Sequence, residues 1–166
     1  MKTNAKRTAN PFPPIYDAAC RVLILGSLPS EASRAAGFYY MNPRNRFWKV
    51  MSSVFSEDFE RMSSEEKSEA LCRHGIALSD VILSCEIRLS ADASIKSVEC
   101  TDIPDILSHS AVEKILLNGR KAHSLFLRHF PQYAPIALSL PSTSPANAKF
   151  SLAALTEIWK KAILNH

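Results

Sequence analysis

"RVLILGSLPSEASRAAGFYYMNPRNRFW", residues 21–48, decides the fold. Val22, Leu23, Ile24 and Leu25 form an apolar run without polar alternation. Such a run suits a strand covered on both faces, as in a parallel sheet. Gly26 follows at once, where a missing Cβ lets the backbone turn tightly and approach a ligand, and Pro29 fixes the next bend. Beyond it, Tyr39, Tyr40, Asn42, Pro43, Asn45, Phe47 and Trp48 crowd into one rigid, aromatic segment. A segment of that kind at the end of a buried strand is shaped to hold something flat.

Three further apolar runs read as strands of the same type: Ile76 to Leu83, Lys114 to Leu117 and Pro135 to Leu140. Between them the apolar spacing becomes helical. Phe47, Trp48, Val50, Met51, Val54 and Phe55 make one stripe, and Leu152, Leu155, Ile158, Trp159, Ala162 and Ile163 make another. Ser63 with Glu66 predicts a capping box on a helix that Gly75 ends. Strands alternating with helices predict an α/β fold, a three-layer α/β/α sandwich around a central four-stranded parallel sheet. Ligands of such sheets bind beyond the carboxyl ends of the strands. The loops that matter are therefore "GSLPS", "SCEIRLSADASI", "NGRK" and "PSTSPANA".

A chain of 166 residues, 46% hydrophobic and 22% charged, fits one domain. We expect it to span 11–166, behind a flexible basic N-terminal tail at 1–10 that carries Lys2, Lys6 and Arg7. The net charge of +4 permits a polyanionic partner without requiring one. Other basic residues gather at Arg44, Arg46 and Lys49, and at Arg120, Lys121 and Arg128. Cys20, Cys72, Cys85 and Cys100 stand far apart with no C-x-x-C pair, so no metal centre or iron–sulfur cluster is expected, and no cofactor. They read as reduced, buried thiols, and with no apolar run long enough to span a bilayer the expected location is cytoplasmic, as a monomer.

Neither strong loop carries a nucleotide or hydrolase signature. "GSLPS" lacks both the phosphate-loop G-x-x-x-x-G-K-[ST] and the G-x-S-x-G elbow. The five histidines, at 74, 109, 123, 129 and 166, avoid both loops, and the nearby carboxylates are Glu31, Asp80 and Glu86. What remains is a site of amides, hydroxyls and aromatics. In "PSTSPANA", Ser142, Thr143 and Ser144 lie between two prolines ahead of a helix expected from about Ala148, a natural phosphate seat.

Together, "GSLPSEASRAAGFYYMNPRNRFW" and "LPSTSPANA" resemble the two signature motifs of the uracil-DNA glycosylase superfamily, above all its hypoxanthine (deoxyinosine) DNA glycosylase branch. The likeness extends through "PFPPIYD", "GIALSDVILSCEI", "DASIKSV" and "LLNGRKAHSLF". It implies a monofunctional hydrolase that removes a deaminated base flipped out of double-stranded DNA and leaves an abasic site. On that resemblance Gly26, Ser27, Leu28, Pro29, Tyr40 and Asp80 form the base pocket, with Tyr40 (or Tyr39) as the stacking ring. Asn45 is the catalytic residue, its amide oxygen orienting water. Ser142, Thr143, Ser144, Pro145, Ala146 and Asn147 bind DNA, the serines and threonine on phosphates and the Pro145 end as a wedge.

This chain departs from the branch at several places. Leu28 stands where the mismatch-specific uracil branch has a water-positioning Asn, Asn42 where the segment usually has His, and Leu89 where Gly is usual. Two alternatives follow: a uracil-DNA glycosylase for G·U mismatches, and a damaged-DNA-binding module with weak catalysis.

Overall fold

Val22–Gly26 is buried at every position, and both of its neighbours run parallel to it. The computed structural model describes residues 5–9, 12–88 and 95–165. Along the chain these form β1 (Ala5–Ala9), β2 (Val22–Gly26), α1 (Glu31–Ala36), α2 (Phe47–Phe55), α3 (Ser64–Arg73), β3 (Ile76–Asp80) and β4 (Ile82–Arg88). There follow β5 (Ile95–Cys100), α4 (Ile103–Ser108), β6 (Lys114–Asn118), α5 (Arg120–His129), β7 (Ala137–Leu140) and α6 (Leu152–Leu164). The parallel sheet has the order β3-β2-β6-β7, as the unbroken apolar runs predict.

Side chains of β2 divide by parity between two cores. Val22 and Ile24 pack with Phe47, Met51 and Trp159 from α2 and α6. Leu23 and Leu25 pack with Ile103 and Ile106 of α4 and with Ala122 and Phe126 of α5. Helices therefore cover both faces, which completes the three layers. Each of these buried aliphatic side chains contributes about 1.5–3 kcal/mol by leaving water, so a charge placed anywhere in the run would undo the middle of the sheet.

The capping box forms as read: Ser63 Oγ accepts the Glu66 N–H at 3.1 Å, and Glu66 Oε1 accepts the Ser63 N–H at 3.2 Å. Gly75 turns the chain into β3 with φ 76°.

Four expectations need correction. The run Ile76 to Leu83 is two strands, because at Val81 the chain leaves β2's parallel partner and enters a second, antiparallel sheet of order β1-β4-β5. No Gly or Pro marks that change. Residues 5–9, expected in a flexible tail, form the edge of that sheet, paired from Ala5 opposite Arg88 to Ala9 opposite Ser84. Pairing along an open strand edge uses main-chain groups, which need no apolar pattern to announce them. The last strand begins at Ala137, after a 3-10 turn over Pro131–Ile136. Finally, the last helix begins at Leu152, not near Ala148, because Ser151 is its N-cap, accepting the Ala154 N–H at 3.1 Å.

Candidate active site

All four parallel strands end at one cavity of about 240 Å³. β2 delivers Gly26 and, beyond it, Ser27, Leu28 and Pro29; β3 delivers Asp80; β6 delivers Asn118; the loop after β7 delivers Ser142, Thr143, Ser144 and Pro145. Tyr40, Asn42 and Asn45 close it from the segment before α2. The volume is below the ~300–1,000 Å³ of drug-sized sites and suits a ligand of a few rings at most. The cavity lies over β2, where the chain has crossed to β3 on one side and to β6 on the other, the reversal point at which open α/β sheets bind ligands.

Tyr40 is held in an unusual state. Its φ is 55°, in the left-handed region, which costs a residue of this kind about 1–3 kcal/mol and persists only where the surroundings enforce it. Three contacts do so. Its ring stacks on Phe47 at 4.1 Å and 26°, its hydroxyl accepts a hydrogen bond from Asn118 Nδ2 at 3.1 Å, and the next residue's N–H donates to Ser33 Oγ at 3.0 Å. Tyr39 takes the other role: it is 2% exposed, edge-on to Phe12, and donates its hydroxyl to the Pro13 carbonyl at 3.0 Å. Phe47 and Trp48 are buried anchors, as expected, with Trp48 Nε1 donating to the Tyr39 carbonyl at 3.0 Å.

A polar chain crosses the cavity wall. Asn118 Nδ2 donates to Tyr40 and to Thr143 Oγ1 at 3.0 Å, while Asn118 Oδ1 accepts the Thr143 N–H at 3.0 Å. Thr143 Oγ1 then donates to Asn45 Oδ1 at 2.8 Å, and the same oxygen accepts the Phe47 N–H at 2.9 Å. Both lone pairs of the Asn45 oxygen are thus engaged. The expected use of that oxygen to orient water does not fit this arrangement; the Asn45 NH₂ is the part of the amide without a protein partner among the described residues. Thr143 is 0% exposed, so it braces Asn45 rather than reaching a phosphate.

Ser142 and Ser144 are half-buried and differ from Thr143. Their oxygens accept the N–H groups of Ser144 and Ala146 at 3.1 and 3.2 Å, which leaves each O–H able to donate outward. Pro145 and Ala146 are exposed at the loop tip. Ala146 and Asn147 line not the cavity but a wider adjoining groove, together with Arg120, Lys121 and Lys149. Asn147 Nδ2 is turned inward to the Ser142 carbonyl at 2.9 Å.

Arg46 holds this loop. Its guanidinium donates to the carbonyls of Phe150 (2.6 Å), Asn147 (2.7 Å) and Ser144 (3.3 Å), and its main-chain N–H donates to the Thr143 carbonyl at 3.0 Å. It therefore faces the protein and not a polyanion.

Asp80 is 3% exposed, and burial pushes its carboxyl up to about 7. A Cβ on Gly26 would stand 2.5 Å from Asp80 Oδ1 and 2.8 Å from the Tyr40 hydroxyl, so glycine is required for these groups to close over the end of β2. Burial also raises the Tyr40 phenol, with the Asp80 charge as the next cause.

At the opposite end of the sheet, Asp17, Cys20 and Cys72 bring a carboxylate and two sulfurs within 4.8 Å of one another. Burial pushes the Cys20 thiol up to about 12 and raises Cys72 as well, so both are protonated thiols at neutral pH. Leu89 and the side chains of Cys85, Glu86 and His166 lie outside the described residues.

Residues 13–163 match the sequence pattern of the family described as the uracil DNA glycosylase superfamily. The chain belongs to that superfamily. Two curated relatives are similar over most of their length, and each is named hypoxanthine DNA glycosylase. The one from Methanosarcina barkeri is 31% identical over 90% of this chain and 97% of its own, and the one from Methanosarcina acetivorans is 34% identical over 84% and 89%. A solution NMR structure from M. acetivorans, described as a candidate uracil DNA glycosylase, superposes with a TM-score of 0.78 at 32% identity, over 92% of this chain and 94% of that one. As in other members of the superfamily, the enzyme class is that of a DNA glycosylase. No helix among the described residues is long and apolar enough to cross a membrane.

The structure thus brings Gly26, Ser27, Leu28, Pro29, Tyr40, Asn45, Asp80, Ser142, Thr143, Ser144 and Pro145 together around one cavity. Sequence reading passed over Asn118, whose loop it had marked, and the bracing role of Arg46. An Asn before Gly reads as an ordinary turn; only its place at the end of a buried strand distinguishes it.

Proposed function

We propose that the protein excises hypoxanthine from deoxyinosine in double-stranded DNA by hydrolysing the N-glycosidic bond. The observation that carries the reading is the single cavity at the four strand ends, walled by a stacking-competent Tyr40 and a braced Asn45. Two relatives named hypoxanthine DNA glycosylase support this choice of base. The flipped nucleotide enters past Ser142 and Ser144, whose outward O–H groups and the groove cations Arg120, Lys121 and Lys149 suit backbone phosphates. Its base lies on the face of Tyr40 away from Phe47. Exposed Pro145 and Ala146 stand where the stack opens.

In the reaction the C1′–N9 bond breaks, its electron pair leaves with the base, and water adds to the oxocarbenium-like sugar. Asn45, fixed by Thr143 and the Phe47 N–H, orients that water by donating from Nδ2 to one of its lone pairs, so its contribution is positioning. Among the described residues no lysine lines the cavity to form a Schiff base, and the product is an intact strand with an abasic site.

Mass spectrometry of the bases freed from duplexes holding I·T, G·U or xanthine tests the reading, with borohydride trapping as a control. Hypoxanthine release without a trapped adduct is expected. Uracil release alone would assign the protein to the G·U activity, and retention of damaged duplex without any release would make it a binding module. Asn45→Ala should lower single-turnover release about 10²–10³-fold while binding changes little. Ser142→Ala should weaken binding and spare the chemical step.

A further inference from the structure

Exposure grades across the cavity. Pro145 is exposed, Ser142, Ser144 and Asn45 are half-buried, and Asp80 is 3% exposed. A nucleotide entering from the loop side brings its sugar beside Asn45 and its base toward Asp80. The carboxyl of Asp80 stands over the end of β2, where the space a Gly26 side chain would take is already closed by Asp80 Oδ1 and the Tyr40 hydroxyl. From this placement we infer that Asp80, in its protonated form, is the general acid that donates a proton to the departing purine.

The inference rests on the hypoxanthine-releasing activity proposed above. As the C1′–N9 bond breaks, its electron pair passes into the purine ring. The Asp80 proton passes to an acceptor atom of that ring, and the base leaves as neutral hypoxanthine rather than as an anion. Water adds to C1′ and gives up a proton, which restores the acid by way of solvent. Atoms and charge balance to one water consumed, one base released and one abasic sugar formed.

The surroundings favour the acid form. Burial raises the carboxyl to about 7, far above an ordinary aspartate. Facing it from the loop before α2 is the Tyr40 phenol, neutral at working pH, and Tyr39 is the remaining titratable group that lines the cavity. β2 brings Gly26, and the segment after β5 brings Thr101, whose hydroxyl donates to the Asp80 main-chain carbonyl at 2.6 Å. Among the described residues, no lysine or arginine lines the cavity. No histidine lines it either, so Asp80 is the group there that can hold a proton transferable near neutral pH.

The test is single-turnover hypoxanthine release from an I·T duplex between pH 5.5 and 9, for the wild type and Asp80→Asn, with melting temperatures measured alongside. Wild-type rates should be level in acid and fall about tenfold per unit above about pH 7, as the acid form is lost. Asp80→Asn keeps the size and a hydrogen-bond donor but has no proton to transfer. It should fold, run about 10²-fold slower at pH 6, and show no fall across the range. A variant within threefold of wild type at pH 6, or a wild-type rate that rises with pH as a general base would require, overturns the role given to Asp80. Wild-type protein that releases no hypoxanthine at any pH overturns the activity itself, a result distinct from either.

Discussion

Asn118→Ala is the change that reaches furthest through the site. The amide makes three hydrogen bonds, two donated to Tyr40 and Thr143 Oγ1 and one accepted from the Thr143 N–H. Thr143 is fully buried, so its N–H is left without water or partner, a penalty of about 1–3 kcal/mol. Each lost donation adds about 0.5–1.5 kcal/mol. The expected destabilisation is then about 2–6 kcal/mol, which at ~2–4 °C per kcal/mol for a chain of this size lowers Tm by about 4–24 °C. Catalysis should suffer beyond stability. Without Asn118 the Tyr40 hydroxyl loses its tether and the Thr143 hydroxyl is free to turn from Asn45. A misplacement of about 1 Å costs on the order of 10²-fold, so single-turnover release at 20 °C, where the variant is still folded, should fall to that extent. Thr143→Val should give much of the rate loss with less loss of Tm, and the double variant should be less than additive because both act on one network. Differential scanning fluorimetry and quenched-flow gel assays on the three variants supply the numbers. An Asn118→Ala protein that melts within 2 °C of wild type and cleaves at its rate would refute the idea that this network holds the site.

Two further changes test its walls. Gly26→Ala places a methyl group 2.5 Å from Asp80 Oδ1 and 2.8 Å from the Tyr40 hydroxyl without demanding an unusual backbone, so we expect a folded protein, destabilised by about 1–3 kcal/mol, with hypoxanthine release reduced at least 10²-fold by gel assay. Leu28→Asn puts an amide beside a cavity that can hydrate it; uracil release from G·U duplexes should rise while Tm holds, and unchanged uracil activity would remove Leu28 from substrate choice.

The parallel sheet was legible because each of its strands is covered on both faces and so leaves a continuous apolar run. That same reading hid the second sheet. Ile95–Cys100 is interrupted by Lys96, Ser97 and Glu99, and the passage from β3 to β4 at Val81 lacks any turn signal. The cavity was legible through its loops, since Gly26, Tyr40 and Asn45 each carry a local oddity of composition or spacing. Asn118 and Arg46 carry none. Their roles come from partners about 25 to 100 positions away, such as Thr143, Asn147 and Phe150, and a single sequence does not display such pairs. Thr143 misled for the opposite reason: flanked by two serines that are half-buried, it reads as one of three equal hydroxyls, yet its side chain is fully buried in the wall, bonded to Asn118 and Asn45.

Arg46 fixes which molecule must deform. With one guanidinium drawing together the carbonyls of Ser144, Asn147 and Phe150, and its own main chain bound to Thr143, the loop after β7 and the segment before α2 form a single stiff jaw. A jaw of that kind has little freedom to follow the shape of whatever it grips, so under the proposed function the strain of opening the helix would fall on the nucleic acid. The ease with which a site in DNA bends and unpairs then becomes a term in its recognition before any atom of the base is inspected. On that reading, sound, well-stacked sequence would be rejected by its own stiffness, and a weak pair admitted by its pliancy.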